Sequence, residues 1–115
     1  MNGEECKLTE GIYKKEIGLK FDDDKPLVGT MLNVFPNAFL ELGAVIKKGQ
    51  EKYPNPNNWK HVEGALTRYQ DSLMRHLIYH NKGIEYDAES TKLHLAHVAW
   101  NALAILELTI MKKEG

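Results

Sequence analysis

The segment "LHLAHVAWNALAILELTIM", residues 93–111, constrains the fold of this chain more than any other part of the sequence. Its apolar residues fall on nearly every side of a helix instead of forming one stripe, so the helix is expected to be buried on all sides. The other helices that the sequence predicts are too few to surround it. We therefore expect an all-α fold in which homo-oligomerisation completes the helical bundle.

Two further helices are predicted before this one. Apolar residues at three- and four-residue spacing predict a helix over residues 36–53, which opens with a proline suited to a first helical turn. The turn-forming sequence "PNPNNW" then separates it from a second helix, predicted over residues 61–81. The apolar helix is expected to begin near Ser90. The chain is thus predicted to have three main helices.

The N-terminal part of the chain lacks these patterns. Residues 1–19 are polar without a sustained period, and we interpret them as a flexible arm before a single domain over residues 20–115. The sequence "LKFDDDKPLVG" that follows is predicted to be a loop, because Pro26 restricts the residue before it to extended conformations. Cys6 is the single cysteine, which excludes an intramolecular disulfide.

Composition limits the classes of function. The 115 residues are 43% hydrophobic and 27% charged, as expected for one soluble globular domain. A net charge of −1 disfavours a general nucleic-acid-binding protein, which needs a basic face. The start "MNGEECKLTEG" is not a signal peptide, and the apolar tract over residues 98–111 is too short to span a bilayer. We expect a cytoplasmic protein without nucleic-acid or membrane partners.

Four of the five histidines lie close together towards the C-terminus. His94, His97 and Asn101 are spaced by three and four residues, so they share one stripe of the last helix, which continues into apolar positions. Buried imidazoles require a partner, which is a carboxylate, a metal ion or a ligand. His76 and Glu41 lie at the margins of the inner faces of their helices. Core histidines that bond to backbone or carboxylate groups remain the simpler interpretation of the spacing alone.

A second polar stripe lies on the helix predicted over residues 61–81. It comprises Arg68, Asp71 and Arg75, again at three- and four-residue spacing. Carboxylates and neutral imidazoles bind divalent cations, whereas guanidinium groups bind phosphate oxygens in pairs. The combination suits a divalent cation together with a phosphate chain. Each stripe taken singly is also explained by ion pairing on a helix surface.

The order of these residues along the chain resembles that of a known family. The ordered residues are Lys20, Asp22, Lys25 and Pro26; Glu41; "GQEKY" from Gly49; "NNW" from Asn57; Arg68; "RH" at Arg75; Gly83, Asp87, Glu89 and Ser90; and "HLAHVAWN" from His94. Over about residues 20–108 the chain resembles the N-terminal domain family of phage dATP/dGTP diphosphohydrolases. These small proteins are related to the all-α MazG-like nucleotide pyrophosphohydrolases.

The resemblance implies metal-dependent hydrolysis of dGTP or dATP to a monophosphate and pyrophosphate. The cation would polarise a phosphoryl oxygen and activate a water molecule. The implied catalytic residues are Glu41, His76, His94 and His97, and with Asp71 and Asp87 they are also the candidate metal ligands. The candidate substrate-binding residues are Lys25, Lys52, Tyr53, Asn58, Trp59, Arg68, Arg75 and Asn101. Asn58, Trp59 and Asn101 are assigned to the base or the sugar, and the cationic residues to the phosphates.

The chain departs from the wider MazG-like group in its candidate ligands. That group holds magnesium with E-x-x-E on one helix and E-x-x-D on another. Here Ala44 follows Glu41, and His94-x-x-His97 stands where the second acidic pair is expected. Two imidazoles favour manganese, iron or zinc over magnesium. The expected cofactor is a divalent cation, either Mg²⁺ or Mn²⁺, with iron and zinc as alternatives.

Two other functions fit the same residues. A phage protein of this kind would also serve to sequester a nucleotide without cutting it, for example a cyclic or ADP-ribose-type signal of bacterial immunity. A structural oligomer whose histidines pair with acidic residues between subunits is the third interpretation. In the first two cases the expected partners are a small-molecule nucleotide and further copies of the chain, in the cytoplasm of an infected bacterial host if the protein is phage-encoded.

Overall fold

The computed structural model describes residues 16–115, which form an all-helical fold. The four α-helices are α1 (Val28–Val34), α2 (Pro36–Lys52), α3 (Ala65–Asn81) and α4 (His94–Glu114), and a 3-10 helix covers Asn58–His61. No strand occurs among these residues, where an isolated bridge joins Tyr86 to Leu93. The predicted all-α class is confirmed, whereas the predicted count of three main helices omitted α1.

Helix α1 follows the aspartate-rich loop that the sequence predicted. The loop contains a turn in which the Lys25 N–H donates to the Asp22 carbonyl at 2.9 Å. The chain bends by 96° between α1 and α2, and none of the α1 residues is buried. Most of the predicted N-terminal arm, together with Cys6, lies outside the described residues, and residues 16–19 are exposed. The short α1 has no charged residue at either end, which left the sequence without a helix signal there.

Helix α2 begins at Pro36, as the sequence predicted, and it continues past Gly49 to Lys52. Proline is favoured in a first helical turn because its fixed φ suits the helix and its missing N–H would have no partner there. Only Leu42 and Val45 of this helix are buried. The remaining apolar residues of α2 are partly or largely exposed.

Helices α3 and α4 form the main packed pair of the fold. They run antiparallel, because Ser72 contacts Asn101 whereas His76, one turn later on α3, contacts His94. Both helices start later than predicted. Gly64 has a φ of 67° before α3, and Thr91 has a φ of 65° before α4. A residue in this left-handed region cannot belong to a right-handed α-helix, so each helix begins after it.

The hydrophobic core of the described residues is small. The buried hydrophobic residues are Leu42, Val45, Ala96 and Ala104, and no large side chain is fully buried. The buried polar residues are His76, Ser90, His94 and Asn101. Several leucines of α4 remain open to solvent, among them Leu106 at 56% exposure. The apolar helix that was expected to be buried on all sides is therefore covered on one side within a single chain.

Helix α4 is longer than the apolar tract suggested. By length and composition it is the one helix of the described residues that could cross a bilayer, with a mean hydropathy of 1.2, whereas α1 and α2 meet the same criterion only as a bent pair. The tract over residues 98–111, which was expected to be too short to span a bilayer, is the central part of this 21-residue helix. The core helix of a water-soluble protein meets this criterion as well. The polar residues of α4 pack against α3.

Candidate functional site

A wide cleft lies along α3 and α4 and is bordered by the C-terminal half of α2. Its volume is about 1300 Å³. Most of the predicted site residues line it, namely Lys52, Tyr53, Asn58, Trp59, Arg68, Asp71, Arg75, His76, Asp87, His97 and Asn101. Residues far apart in the sequence are thus brought to one surface by the antiparallel packing of α3 and α4.

Three predicted residues do not line this cleft. His94 is 3% exposed and lies directly behind His76. Lys25 lines a small separate depression with Phe21 and neighbouring aspartates. Glu41 is exposed on α2, and the structure does not bring it to the histidines within one chain. The roles assigned to Lys25 and Glu41 remain predictions.

His76, His94 and His97 form the histidine cluster of the site. The Nδ1 atoms of His76 and His94 are 2.8 Å apart, and the rings of His76 and His97 stack with centroids 4.4 Å apart. A hydrogen bond between two imidazole nitrogens requires a proton on one nitrogen and a lone pair on the other. The two Nδ1 atoms are therefore partners of each other within the cluster.

The surroundings of His76 and His97 favour the neutral imidazole. Burial, together with the positive charge of a protonated His97, lowers the pKa of His76 to about 4. Burial also lowers the pKa of His97, against an opposing attraction from the carboxylate of Asp87. Both side chains are accordingly neutral near pH 7. Neutral imidazole is the form that binds metal ions and accepts protons.

The loop before α4 places Asp87 and Ser90 beside this cluster. The Ser90 N–H donates to Asp87 Oδ2 at 2.8 Å, and Ser90 Oγ is hydrogen-bonded to His97 Nε2 at 2.6 Å. Asp87 Oδ2 lies 3.8 Å from the same nitrogen. Burial alone would raise the pKa of Asp87, but the hydrogen bonds from Ser90 and the nearby histidines hold it below its usual value. The cluster thus includes an ionised carboxylate.

His76, His94 and Asp87 fit a divalent cation. Each offers one ligand atom, and these three atoms lie within 4.8 Å of one another. Two nitrogen ligands about 2.1 Å from an ion and at right angles to each other are about 3.0 Å apart. The Nδ1 separation of 2.8 Å between His76 and His94 is close to that spacing. Two imidazoles with one carboxylate suit manganese, iron or zinc better than magnesium.

The cationic side chains of the cleft differ in their partners. Lys52 Nζ lies 3.4 Å from Glu89 Oε1, and this hydrogen bond raises the pKa of Lys52. Arg68 and Arg75 line the cleft from α3, and within residues 16–115 neither is paired with a carboxylate. Arg75 contacts Ser72 Oγ at 3.5 Å. The two arginines therefore offer guanidinium groups to an anionic ligand.

Three aromatic rings also line the cleft. Trp59, Tyr69 and Trp100 contact one another edge to face, with centroid distances of 6.2, 5.7 and 5.4 Å. The Tyr69 hydroxyl donates to the Trp59 carbonyl at 2.7 Å, and burial raises the pKa of this phenol. Such a fixed aromatic wall presents flat apolar surface to a planar base. We refer to these three residues as the aromatic wall.

The sequence did not indicate several of these residues. From the sequence, Tyr69 and Trp100 were interpreted as core residues, although Trp100 belongs to the "HLAHVAWN" segment that carried the family resemblance. Ser90 was part of the same resemblance without an assigned role. Ser72 carried no signal at all, because its position beside Asn101 depends on the register of α3 against α4.

The sequence was compared with models of known protein families. Residues 15–115 match the family described as dATP/dGTP diphosphohydrolase, N-terminal. The chain belongs to this family. The resemblance inferred from the ordered residues is thereby confirmed, over nearly the whole chain. Neither the curated proteins nor the solved structures gave a match.

Proposed function

We propose that the chain hydrolyses dATP and dGTP to the monophosphate and pyrophosphate with the help of a divalent cation. The family description supports the substrate class. The observation that carries the proposal is that His76 and Asp87 line one cleft with His94 directly behind them, and that the same cleft holds two arginines, neither of which has a carboxylate partner within residues 16–115. The first group suits a cation, and the second suits a phosphate chain.

In this proposal His76, His94 and Asp87 hold the cation. When bound, it supplies a Lewis acid that neutralises charge on the phosphates. Burial keeps His76 neutral, and Ser90 keeps the Asp87 carboxylate in place through its N–H. Glu41 and Asp71 remain proposed contributors, since Asp71 lines the cleft and Glu41 is exposed on α2.

The other side chains bind the substrate and accept a proton. Arg68 and Arg75 bind phosphate oxygens, and the aromatic wall contacts the base. His97 accepts the proton of the attacking water through Ser90: its neutral Nε2 takes the proton of the Ser90 hydroxyl, to which it is hydrogen-bonded, as that hydroxyl takes one from water. The Asp87 carboxylate, 3.8 Å from that nitrogen, stabilises the imidazolium that forms.

Capture of a nucleotide without hydrolysis is the second candidate function. It is favoured by the hydrogen bond between His76 and His94, which already satisfies both nitrogens at 2.8 Å. The candidate ligand group contains a single carboxylate, Asp87. A cleft with arginines and an aromatic wall would hold a cyclic or ADP-ribose-type signal by the same contacts. The two functions differ in their need for metal.

We further propose that a second copy of the chain covers the exposed apolar side of α4. Leu95, Leu103, Leu106 and Ile110 are each more than two-fifths exposed and share one stripe, which we call the outer stripe. A stable interface buries about 800 Å² per partner, so exposed apolar residues of α1 and α2 must contribute as well. Because the core of the described residues is small, the fold needs a partner surface that is always present. A second copy of the same chain meets that requirement.

A product assay tests the hydrolase proposal. The purified chain is incubated with dGTP, dATP and a panel of other nucleotides in Mg²⁺, Mn²⁺ or EDTA, and the products are separated by chromatography. We expect monophosphate and pyrophosphate only with metal, and no turnover by His97→Ala. His80→Ala is the matched control, because His80 lies one turn beyond His76 on α3 but does not line the cleft.

The outcomes separate the two functions. Turnover in EDTA would contradict the metal-dependent proposal. Intact nucleotide in every tube, together with nucleotide affinity that persists in EDTA, would favour capture over hydrolysis. Loss of activity in His80→Ala as large as in His97→Ala would remove the assignment of His97 to the site.

A further inference from the structure

Asn101 is a buried residue whose side-chain NH₂ group makes two hydrogen bonds, whereas its side-chain oxygen makes none within the described residues. The residue is 3% exposed and lines the cleft. Its Nδ2 donates one hydrogen bond to Ser72 Oγ at 3.1 Å and another to the His97 carbonyl at 2.8 Å. A side-chain amide carries two N–H donors on that nitrogen, so both are occupied within the fold.

The orientation of this amide is fixed by chemistry. The His97 carbonyl can only accept, so the Asn101 atom beside it must be the nitrogen, and Oδ1 must point the other way. Within residues 16–115 no hydrogen bond reaches Asn101 Oδ1, and no enclosed side-chain polar atom there lacks a partner. The oxygen is therefore not fully enclosed, and since Asn101 lines the cleft, we assign this acceptor to the cleft.

Ser72 adds a donor beside this acceptor. Its Oγ accepts from Asn101 Nδ2 and, at the longer distance of 3.5 Å, from Arg75. Within the described part of the chain its hydroxyl hydrogen has no acceptor. The cleft thus contains an acceptor and a donor side by side, next to one of the arginines assigned to phosphate.

We propose that Asn101 Oδ1 and Ser72 Oγ together bind the 3′-hydroxyl of the deoxyribose, an inference that rests on the proposed nucleotide substrate. A hydroxyl donates and accepts at a single oxygen, which matches an adjacent acceptor and donor. In a nucleotide the sugar lies nearer to the 5′-phosphates than the hydrogen-bonding edge of the base does. A phosphate held by Arg75, which contacts Ser72, therefore places the sugar beside this pair and the base towards the aromatic wall.

The test compares two ligands that differ only at this position. The ligands are α,β-methylene dGTP, which resists hydrolysis at the proposed bond, and the same analogue without its 3′-hydroxyl. Affinities are measured by calorimetry on the full chain. One hydrogen bond changes affinity by roughly three- to ten-fold, so the wild type should bind the 3′-deoxy analogue more weakly by that factor. In Asn101→Ala the ratio of the two affinities should fall towards one.

A second variant guards against a folding defect. Ser72→Ala removes the donor but leaves the Asn101 bond to the His97 carbonyl, so it is expected to fold and to reduce the ratio as well. Arg68→Ala is the matched control: it should weaken both analogues and leave their ratio unchanged. An α,β-methylene deoxynucleotide of unsubstituted purine, which lacks the N–H donors of the guanine edge, tests the base as the alternative partner.

The outcomes distinguish this inference from the function on which it rests. Binding of neither analogue by the wild type would overturn the proposed nucleotide function and this inference with it. Equal affinity for the two analogues would overturn this inference alone. An Asn101→Ala effect that depends on the guanine N–H donors and not on the 3′-hydroxyl would also overturn it, because the partner would then be the base edge.

Discussion

The two sides of α4 reverse the arrangement of an ordinary surface helix. The side that packs on α3 carries His94, His97 and Asn101, and two of these three polar residues are 3% exposed. The opposite side is the outer stripe, where Leu103 is 49% and Leu106 is 56% exposed. An amphipathic helix normally buries its leucines and exposes its polar residues. Here one helix does the opposite on both sides.

The difference shows that the two sides serve different purposes. Burying imidazoles costs free energy that packing leucines in their place would not, so the inner side is explained by chemistry rather than by stability. Exposing a continuous row of leucines also costs free energy, unless another surface covers them. We therefore interpret the inner side as a binding site and the outer stripe as an assembly surface.

The largest expected effect is on self-association. Leu103→Glu or Leu106→Glu places a charge in the proposed interface, at a cost of about 2 kcal/mol for a central position. In a two-fold symmetric interface each substitution occurs twice, so self-association should weaken about a thousand-fold. Sedimentation equilibrium measures this change directly.

Gln70→Glu is the control for that experiment. It adds the same charge at an exposed position of α3 that lies outside both the outer stripe and the cleft, and it should leave self-association unchanged. A monomeric wild type would remove the assembly interpretation. If that monomer also bound to lipid vesicles through α4, the outer stripe would be a membrane surface instead.

Substitutions at two neighbouring residues, His94 and Leu95, test the two sides of α4 separately. His94→Ala removes a proposed metal ligand, and even residues that only support ligands change activity by up to about a hundred-fold, so a loss of at least that size is expected. Leu95, the next residue, belongs to the outer stripe, and Leu95→Ala should leave the turnover of dGTP nearly unchanged in concentrated protein. Equal losses in both variants, with unchanged circular dichroism, would show that the two sides are not functionally distinct.

The sequence predicted those parts of the molecule that depend on helical periodicity. The spacing of His94, His97 and Asn101 was enough to place them on one side of α4, because 3.6 residues per turn fixes which residues share a face. Pro36 marked the start of α2 for an equally local reason. The same rule could not say which side faces inwards, since apolar residues surround most of α4.

The missed features depend on contacts between distant segments or on unusual backbone. Gly64 and Thr91 delay the starts of α3 and α4 through positive φ angles, and nothing in their neighbouring residues required this. The pairing of Ser72 with Asn101 depends on how α3 lies against α4. Glu41 was grouped with the histidines by sequence, but its place on α2 leaves it exposed, and no local signal sets the position of α2 relative to α4.

The free energy of unfolding should also depend on pH, through the buried histidines on the inner side of α4. The pKa of His76 is lowered to about 4 by burial, whereas an unfolded chain titrates near its ordinary value of about 6.5. Between these values the unfolded state binds more protons, so the free energy of unfolding should fall as pH decreases. The loss from His76 is about 2 kcal/mol between about pH 7 and about pH 5, with little change above that range. Urea unfolding of chelator-treated protein measures it.

His76→Phe isolates this contribution. The ring is kept but cannot titrate, so the decline of stability with decreasing pH should be shallower than in the wild type. The remaining decline is expected to come from His97, whose pKa is also lowered by burial. An identical pH dependence in the wild type and His76→Phe would mean that His76 is not held neutral in the folded state. His61→Phe, at an exposed position, is the control.

The smallest predicted effect concerns the loop that holds Asp87 and Ser90 against the inner side. Thr91 has a φ of 65°, which is unfavourable for a β-branched residue, and its hydroxyl donates to the Ser90 carbonyl at 2.5 Å. Asparagine tolerates this conformation better, so Thr91→Asn should raise the free energy of unfolding by about 0.5 to 1 kcal/mol. Thr91→Val keeps the branched shape without the hydroxyl and should lower it. Self-association should be unchanged in both variants, because the loop supports only the inner side; a shift of the monomer–oligomer equilibrium would show that the two sides of α4 are coupled.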